Sequence, residues 1–520
     1  MGWSRRGFLV ATAAGAASAS LSGWARAASG SAPALLLRDV RVVDGTGAPA
    51  LAADVLVRGD RIEHIGRIAA SAARGARIVE GGGRVLAPGF IDLHVHGDPT
   101  TQSYASHLAM GATTVVLGQD GASPAAGDGT AGGIRAWFEA LERALPDINV
   151  ATTSGHGSLR RQAGIDDGTR VPSAAQQARM AALLEADLAA GSFGMSTGLE
   201  YVPGLYASPA EIAPLGQILA RHDAVAMSHL RSEDEDKVDA AIREHVEASR
   251  PARTHVSHLK VVHGKGAGRA ERTLAELQRM RESGIPLTAD AYPYLASYTG
   301  IGILFPEWAL PPTDYAQVLA NRRDELRAWV EQRLLRRGGP DALLFGTGQH
   351  AGRTLAQVAQ ADGRPWPEVL LALGPRGGQA AHFVMDKELQ ARILVDPHVA
   401  IASDGSPRGR HPRGHGTFAA WIEDFVVNER RVSLEEAVRK ATGLPARILG
   451  LKDRGTLRAG AIADLVLFDP ARVRARADYV DPFALAEGFD LVLLNGQPAY
   501  QDGEPTGVRG RLVRHRAAGA

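Results

Sequence analysis

Two histidines, His94 and His96, stand at the end of an apolar run, Pro88-Gly89-Phe90-Ile91-Asp92-Leu93. Alternate residues of a strand face the same way, so both imidazoles can reach one ion. Gly97 and Asp98 follow at once, as at a strand giving way to a loop. His229 and His258 close two further apolar runs, about one βα unit apart. From neighbouring strands they can converge on the same axis. His255 and His263 are read as non-ligands. Positions 255 and 258 differ in parity, so only one of that pair points inward.

Asp404 closes another run, within Ala402-Ser403-Asp404-Gly405-Ser406. A carboxylate beside a metal-activated water can take its proton and later pass it to a leaving amine. The 520-residue chain has no cysteine, which excludes disulfides and thiolate ligands. Any metal must be held by His, Asp, Glu or a modified Lys. Such donors suit Zn2+ first, with Mn, Fe and Co as alternatives. Two ions close together usually need a bridging anion. Asp120, in Leu117-Gly118-Gln119-Asp120-Gly121, is the candidate, and Glu200 is its competitor. With neither in reach, the site holds one ion.

The elements that must position these residues are short buried strands alternating with helical stretches. Eight strand candidates cover 89–96, 113–120, 148–156, 193–200, 225–229, 254–258, 286–290 and 399–404. Such alternation predicts parallel βαβ units, and eight of them an α/β chain closed as a (β/α)8 TIM-type barrel over 88–454. Every candidate ends in a residue fit for metal or acid–base work: His96, Asp120, His156, Glu200, His229, His258, Asp290 and Asp404. Barrel enzymes place their chemistry at those ends. Helices over 173–190 and 208–221 start at serines able to cap them. The connection before the last strand is long, and an insert over about 295–395 is expected to form a lid or subdomain. Residues 34–87 and 455–515 read as short strands and turns, predicting a small β-sandwich built from both chain ends.

The formal net charge is +1, and no basic stripe with interleaved aromatics argues for nucleic acid. Arg408, Arg410 and Arg413 cluster after Asp404, as a solvated loop or an anion site. Residues 1–27 read as an export signal. Arg5-Arg6 precede Phe8-Leu9, a small-residue apolar stretch follows, and Ala25-Arg26-Ala27 forms a cleavage site. The pattern resembles a twin-arginine signal and predicts a periplasmic or secreted protein. Removing it takes three arginines and leaves the mature chain at −2. No other segment reads as membrane-spanning, and the oligomeric state is not legible.

Taken together these residues resemble the amidohydrolase superfamily and, within it, the N-acyl-D-amino-acid deacylase (D-aminoacylase) family. The likeness runs over nearly the whole mature chain. Its marks are Gly89-Phe90-Ile91-Asp92-Leu93-His94-Val95-His96, Gly155-His156-Gly157-Ser158-Leu159-Arg160, Ser196-Thr197-Gly198-Leu199-Glu200-Tyr201 and Ser228-His229-Leu230-Arg231-Ser232-Glu233. Val256-Ser257-His258-Leu259-Lys260, Asp290-Ala291-Tyr292-Pro293-Tyr294, His411-Pro412-Arg413 and Gly416-Thr417-Phe418 complete them. The resemblance implies a barrel with a split β-sandwich and hydrolysis of the amide in N-acyl-D-amino acids. It implies that His229 and His258 hold the tightly bound zinc and that Asp404 is base and acid. It assigns Lys260, Tyr292 and Arg413 to the carboxylate of a small-molecule substrate, a role a cation and a phenol hydroxyl suit. His156 and Glu200 are further candidates for substrate binding. The family's second-strand cysteine ligand is replaced here by Asp120, a harder donor.

A dipeptidase acting on dipeptides with a free C-terminal carboxylate is the nearest alternative, followed by a cyclic-amidase relative. Lys260, Tyr292 and Arg413 favour an open-chain substrate with a free carboxylate. A binding protein that had lost catalysis would lack the base, yet Asp404 is present.

Overall fold

A computed structural model describes residues 34–124 and 133–515, so the leader expected over 1–27 lies outside the described residues. Among the described residues no helix is long and apolar enough to cross a membrane.

The parallel strands are Phe90–Asp92, Ala112–Leu117, Asn149–Thr152 with Ser154–Gly155, Gly194–Gly198, Val225–His229, Arg253–Val256, Leu287–Ala291 and Val399–Ile401. Each pairs in parallel with the next in chain order. The third is interrupted at Thr153: its first part pairs with the strand before, its second with the strand after. Beyond the last strand Val95 and Gly405 form a parallel bridge, and the His96 N–H donates to the Gly405 carbonyl at 2.8 Å. The end of the first strand therefore meets the end of the last. Ala112–Leu117 and Val225–His229 are buried throughout, as strands covered on both faces must be. Most ladders stop two to four residues before the polar ends read from the sequence. Those residues sit in the loops just past the strands.

Two helix starts show different physics. Ser173 accepts the Gln176 N–H, in a capping box, before helix Ala174–Ala190. Ser208 makes no such bond before Pro209–Arg221. There Pro209 itself suits the first turn, where its missing N–H costs nothing.

The two chain ends, expected as a β-sandwich, share one nine-stranded sheet. Strand Leu465–Phe468 pairs antiparallel with Val85–Pro88 and joins the C-terminal strands to the N-terminal ones. Alternation is strict across this joint. Leu86, Leu465, Leu467, Leu491 and Leu493 face the sheet's own apolar cluster. Val85, Ala87, Val466, Phe468 and Val492 face the main core. A period of two thus serves two cores at once.

Between the seventh and eighth parallel strands the chain builds a three-stranded antiparallel sheet, Ala296–Gly300, Gln379–Phe383 and Leu343–Phe345. Helices Tyr315–Arg336, Leu355–Asp362 and Trp366–Leu373 share an apolar cluster with it. The insert ends earlier than the expected 395. Helix Lys387–Leu394 puts Leu389, Ile393 and Leu394 into the main core instead. Arg333 of the long insert helix pairs with Asp234 and reaches within 3.9 Å of Glu200.

Candidate metal centre

Five of the eight polar strand ends, His96, Asp120, Glu200, His258 and Asp404, project from loops, and backbone strain aims three of the site residues. Asp120, His258 and Asp404 adopt φ of 53°, 37° and 51°. Residues other than glycine rarely enter this left-handed region, and such outliers cluster at functional sites. Gly118, at φ 77°, starts the turn that carries Asp120 off its strand, and a Cβ there would lie 1.9 Å from the Thr153 carbonyl oxygen. Asp92 Oδ1 accepts the N–H of Ser403 at 2.8 Å and of His94 at 3.3 Å, tying the first strand to the last. Burial pushes that carboxyl up to about 7. Asp290 Oδ1 accepts the His258 N–H at 2.7 Å, while Oδ2 holds His255 Nε2 at 2.7 Å. His255 is thereby a support for His258 and not a ligand.

His94, His96, Asp120 and Asp404 offer donor atoms within 4.8 Å of one another, and so do Asp120, His229 and His258. Asp120 belongs to both groups. Its Oδ1 lies 3.3 Å from both His94 Nε2 and His258 Nε2, and its Oδ2 lies 3.6 Å from His96 Nε2. Asp404 Oδ1 is 3.1 Å from His96 Nε2 and 3.6 Å from His94 Nε2. His229 Nδ1 faces His258 Nε2 at 2.9 Å. Neither ring nitrogen of buried His94 has a hydrogen-bond partner among the described residues. A buried imidazole without a partner, grouped with three further imidazoles and two carboxylates, forms a donor set that a divalent cation satisfies. The electrostatics agree. Burial raises Asp120, yet His94 and His258 outweigh it and hold the carboxyl well below its usual range. Burial also raises Asp404, and Arg413, His258 and His94 pull it well below. Burial and Lys260 lower His258, but Asp120 and Asp404 raise it to about 10.

The outer nitrogens of two of these histidines are also taken. Glu200 Oε2 stands 3.1 Å from His229 Nε2, and Glu233 Oε1 stands 3.1 Å from His258 Nδ1. Carboxylates in such places fix the tautomer and orientation of ligating imidazoles. Glu233 also pairs with Lys260 at 2.6 Å, and Lys260 Nζ lies 2.8 Å from His258 Nδ1. Lys260, marked for a substrate carboxylate, is therefore also the counter-ion of Glu233. Burial lowers Lys260 and Glu233 more than restores it.

Arg413 Nη1 meets Asp404 Oδ2 at 2.7 Å, and its guanidinium carbon lies 4.9 Å from the centre of the Tyr292 ring. The Tyr292 hydroxyl is buried and has no hydrogen-bond partner among the described residues. Burial pushes it up to about 12, so it remains a donor. Tyr201 stacks on His229 at 4.3 Å between ring centres, and its hydroxyl oxygen accepts from Thr299 at 3.1 Å.

His156 is not brought to this centre. It opens helix His156–Gln162, and its Nε2 lies 2.9 Å from Glu211, which also pairs with buried Arg160. A strand end that is also a helix start turns its side chain into the helix layer. Glu233, Asp92 and Tyr201 escaped sequence reasoning. All three lie inside motifs quoted above, but no periodicity marks them.

Two cavities adjoin the centre and share Tyr201 and Thr299. One, of about 490 Å³, is lined by His96, Asp120, Asp404 and Arg413 among others. The other, of about 710 Å³, reaches Glu200 and is walled largely by the insert, by the loops near residues 201–205 and 231–237 and by the start of helix Val238–Ser249.

Residues 388–500 match the model of the amidohydrolase family. The chain is 35% identical to an N-acyl-D-glutamate deacylase of Alcaligenes xylosoxydans xylosoxydans, over 92% of this chain and 96% of that protein. It is 34% identical to a D-aminoacylase of the same organism, over 93% and 98%. Among solved structures it resembles N-acyl-D-glutamate deacylase from Bordetella bronchiseptica, complexed with zinc and a phosphonate inhibitor that mimics the tetrahedral intermediate. That likeness has a TM-score of 0.80 and 34% identity, over 92% of this chain and 99% of the other.

Proposed function

Because the chain belongs to the N-acyl-D-amino-acid deacylase (D-aminoacylase) family of the amidohydrolase superfamily, we propose that it hydrolyses the amide bond of N-acyl-D-amino acids. The products are a carboxylate and a D-amino acid. The observation that carries this reading is the Asp404–Arg413 pair. One carboxylate oxygen faces the metal donors while the other is held by a cation next to an unpaired phenol. Proton transfer and recognition of a free carboxylate thus meet at one point.

His94, His96, Asp120, His229 and His258 would hold one or two zinc ions, with Asp120 as the shared ligand. The metal supplies Lewis acidity to the scissile carbonyl and to the attacking water. The protein's own residues do the rest. Arg413 and Tyr292 fix the substrate's α-carboxylate and so place the amide beside Asp404. Asp404 accepts the proton of the attacking water. It returns that proton to the amide nitrogen as the C–N bond breaks, and the amine leaves neutral. Arg413 keeps Asp404 ionised before the first transfer, ready to accept the proton. The strand order and the Val95–Gly405 bridge support a closed (β/α)8 barrel as the scaffold. The paired arginines and cleavage site within 1–27 support export to the periplasm.

The test is a screen of N-acetyl-D-amino acids, N-acetyl-L-amino acids and dipeptides on the zinc-loaded protein. Turnover of the N-acetyl-D series is expected. Cleavage confined to L-configured dipeptides would overturn the reading.

A further inference from the structure

The smaller cavity, the one at the metal donors, carries more chemistry than the amide and the α-carboxylate require. None of its lining residues is aliphatic. Beyond the centre itself, its wall consists of Tyr298, Thr299, Thr347, Gln379, Ser406 and Arg408, with glycines and His411. The Tyr298 hydroxyl is buried without a hydrogen-bond partner among the described residues. The larger cavity is mixed, with Val202, Leu205, Ile303, Phe305 and Leu310 in its wall beside charged residues of both signs.

The three arginines that follow Asp404 have separate fates. Arg413 is paired with Asp404. Arg410 donates to the Val480 carbonyl. Arg408 is exposed where it lines the cavity; its guanidinium makes no ion pair and no hydrogen bond among the described residues, and only its backbone N–H is engaged, by Ser406. Among the described residues the only carboxylates lining this cavity are Asp120 and Asp404, both in the metal-donor cluster. An uncommitted cation in a polar cavity without a free acid recognises an anion.

Resting on the deacylase reading above, we propose that Arg408 binds the side-chain carboxylate of the substrate. The preferred substrates are then N-acyl-D-amino acids with acidic side chains. The α-carboxylate goes to Arg413 and Tyr292, and the second carboxylate to Arg408. A leucine or methionine side chain would face hydroxyls, an amide and a cation here and would desolvate them without return.

The experiment compares kcat/KM of the zinc-loaded full chain for N-acetyl-D-glutamate, its neutral isostere N-acetyl-D-glutamine, and N-acetyl-D-leucine. Glutamate is expected to exceed glutamine by about 10- to 100-fold, the scale of a charge-assisted contact. In R408Q the glutamate-to-glutamine ratio is expected to fall to within about threefold of one, and in R408K to lie between, because lysine keeps the charge without the fork. The change should sit mainly in KM. Preference for leucine, or an unchanged ratio in R408Q, overturns the assignment of Arg408 and leaves the deacylase reading standing. Turnover of none of the three overturns both.

Discussion

Glu200 Oε2 stands 3.1 Å from His229 Nε2, the ring nitrogen that does not face His258. Glu200 is thus placed to orient a ligand; with His229 and Glu233 it forms a further donor group, while Asp120 joins the group of His94, His96 and Asp404 to that of His229 and His258. Removing an outer carboxylate of this kind costs about 10- to 100-fold in metal affinity. Glu200→Ala should therefore weaken zinc binding by that factor, and Glu200→Gln by less, since the amide oxygen still accepts from Nε2–H. Chelator competition on the folded protein reads this directly. Wild-type affinity in Glu200→Ala would remove the orienting role.

Asp404→Asn should keep its metal and lose turnover. The amide preserves the shape beside His96 and Arg413 but cannot carry a proton. A loss of about 100- to 10,000-fold in kcat is expected for a missing general acid–base group. Metal content measured on the same preparation separates this from loss of the ion. Full activity would take Asp404 out of the mechanism.

The metal donors were legible because barrel chemistry sits at strand ends and each of these residues follows an apolar run. Even so, the strands could not reveal how Asp120, His258 and Asp404 reach one point. Their left-handed backbones are set by tertiary contacts, such as Asp290 holding the His258 N–H. The two-core sheet was legible in part, since Leu465-Val466-Leu467-Phe468 alternates visibly only once both faces are known to be buried. His156 followed the strand-end pattern and yet turned away, because helix formation begins at that residue. Glu233 carries no local mark. Its role comes from Lys260 and His258, both more than twenty residues away along the chain.

Tyr292→Phe should act on binding. The hydroxyl is buried without a partner, so its loss leaves no structural hydrogen bond broken. A hydrogen bond to a carboxylate is worth about 1.5–3 kcal/mol, or roughly 10- to 150-fold in kcat/KM. The effect should vanish for substrates whose α-carboxylate is amidated, which makes that pair of substrates the deciding measurement. An equal loss on both would assign the hydroxyl elsewhere.

Asp120→Cys tests the shared ligand. A thiolate is softer than a carboxylate and favours zinc over manganese. The variant should bind zinc in preference to manganese by a wider margin than the parent, as read by metal analysis after competition between the two ions. An unchanged ratio would mean that Asp120 does not ligate.

Glu211→Ala should unfold the protein more readily without touching recognition. Glu211 holds His156 and Arg160 in a layer where all three side chains are almost fully buried. Deleting the acid strands the Arg160 charge in the interior, a change that costs about 3–5 kcal/mol. Glu211→Gln should cost less, because it keeps an acceptor for both partners. Denaturant midpoints measure the difference. Below the transition, KM for an N-acetyl-D-amino acid should stay near the parent's, since neither His156 nor Glu211 lines either cavity beside the metal donors. A raised KM at full folding would bring His156 back to the substrate.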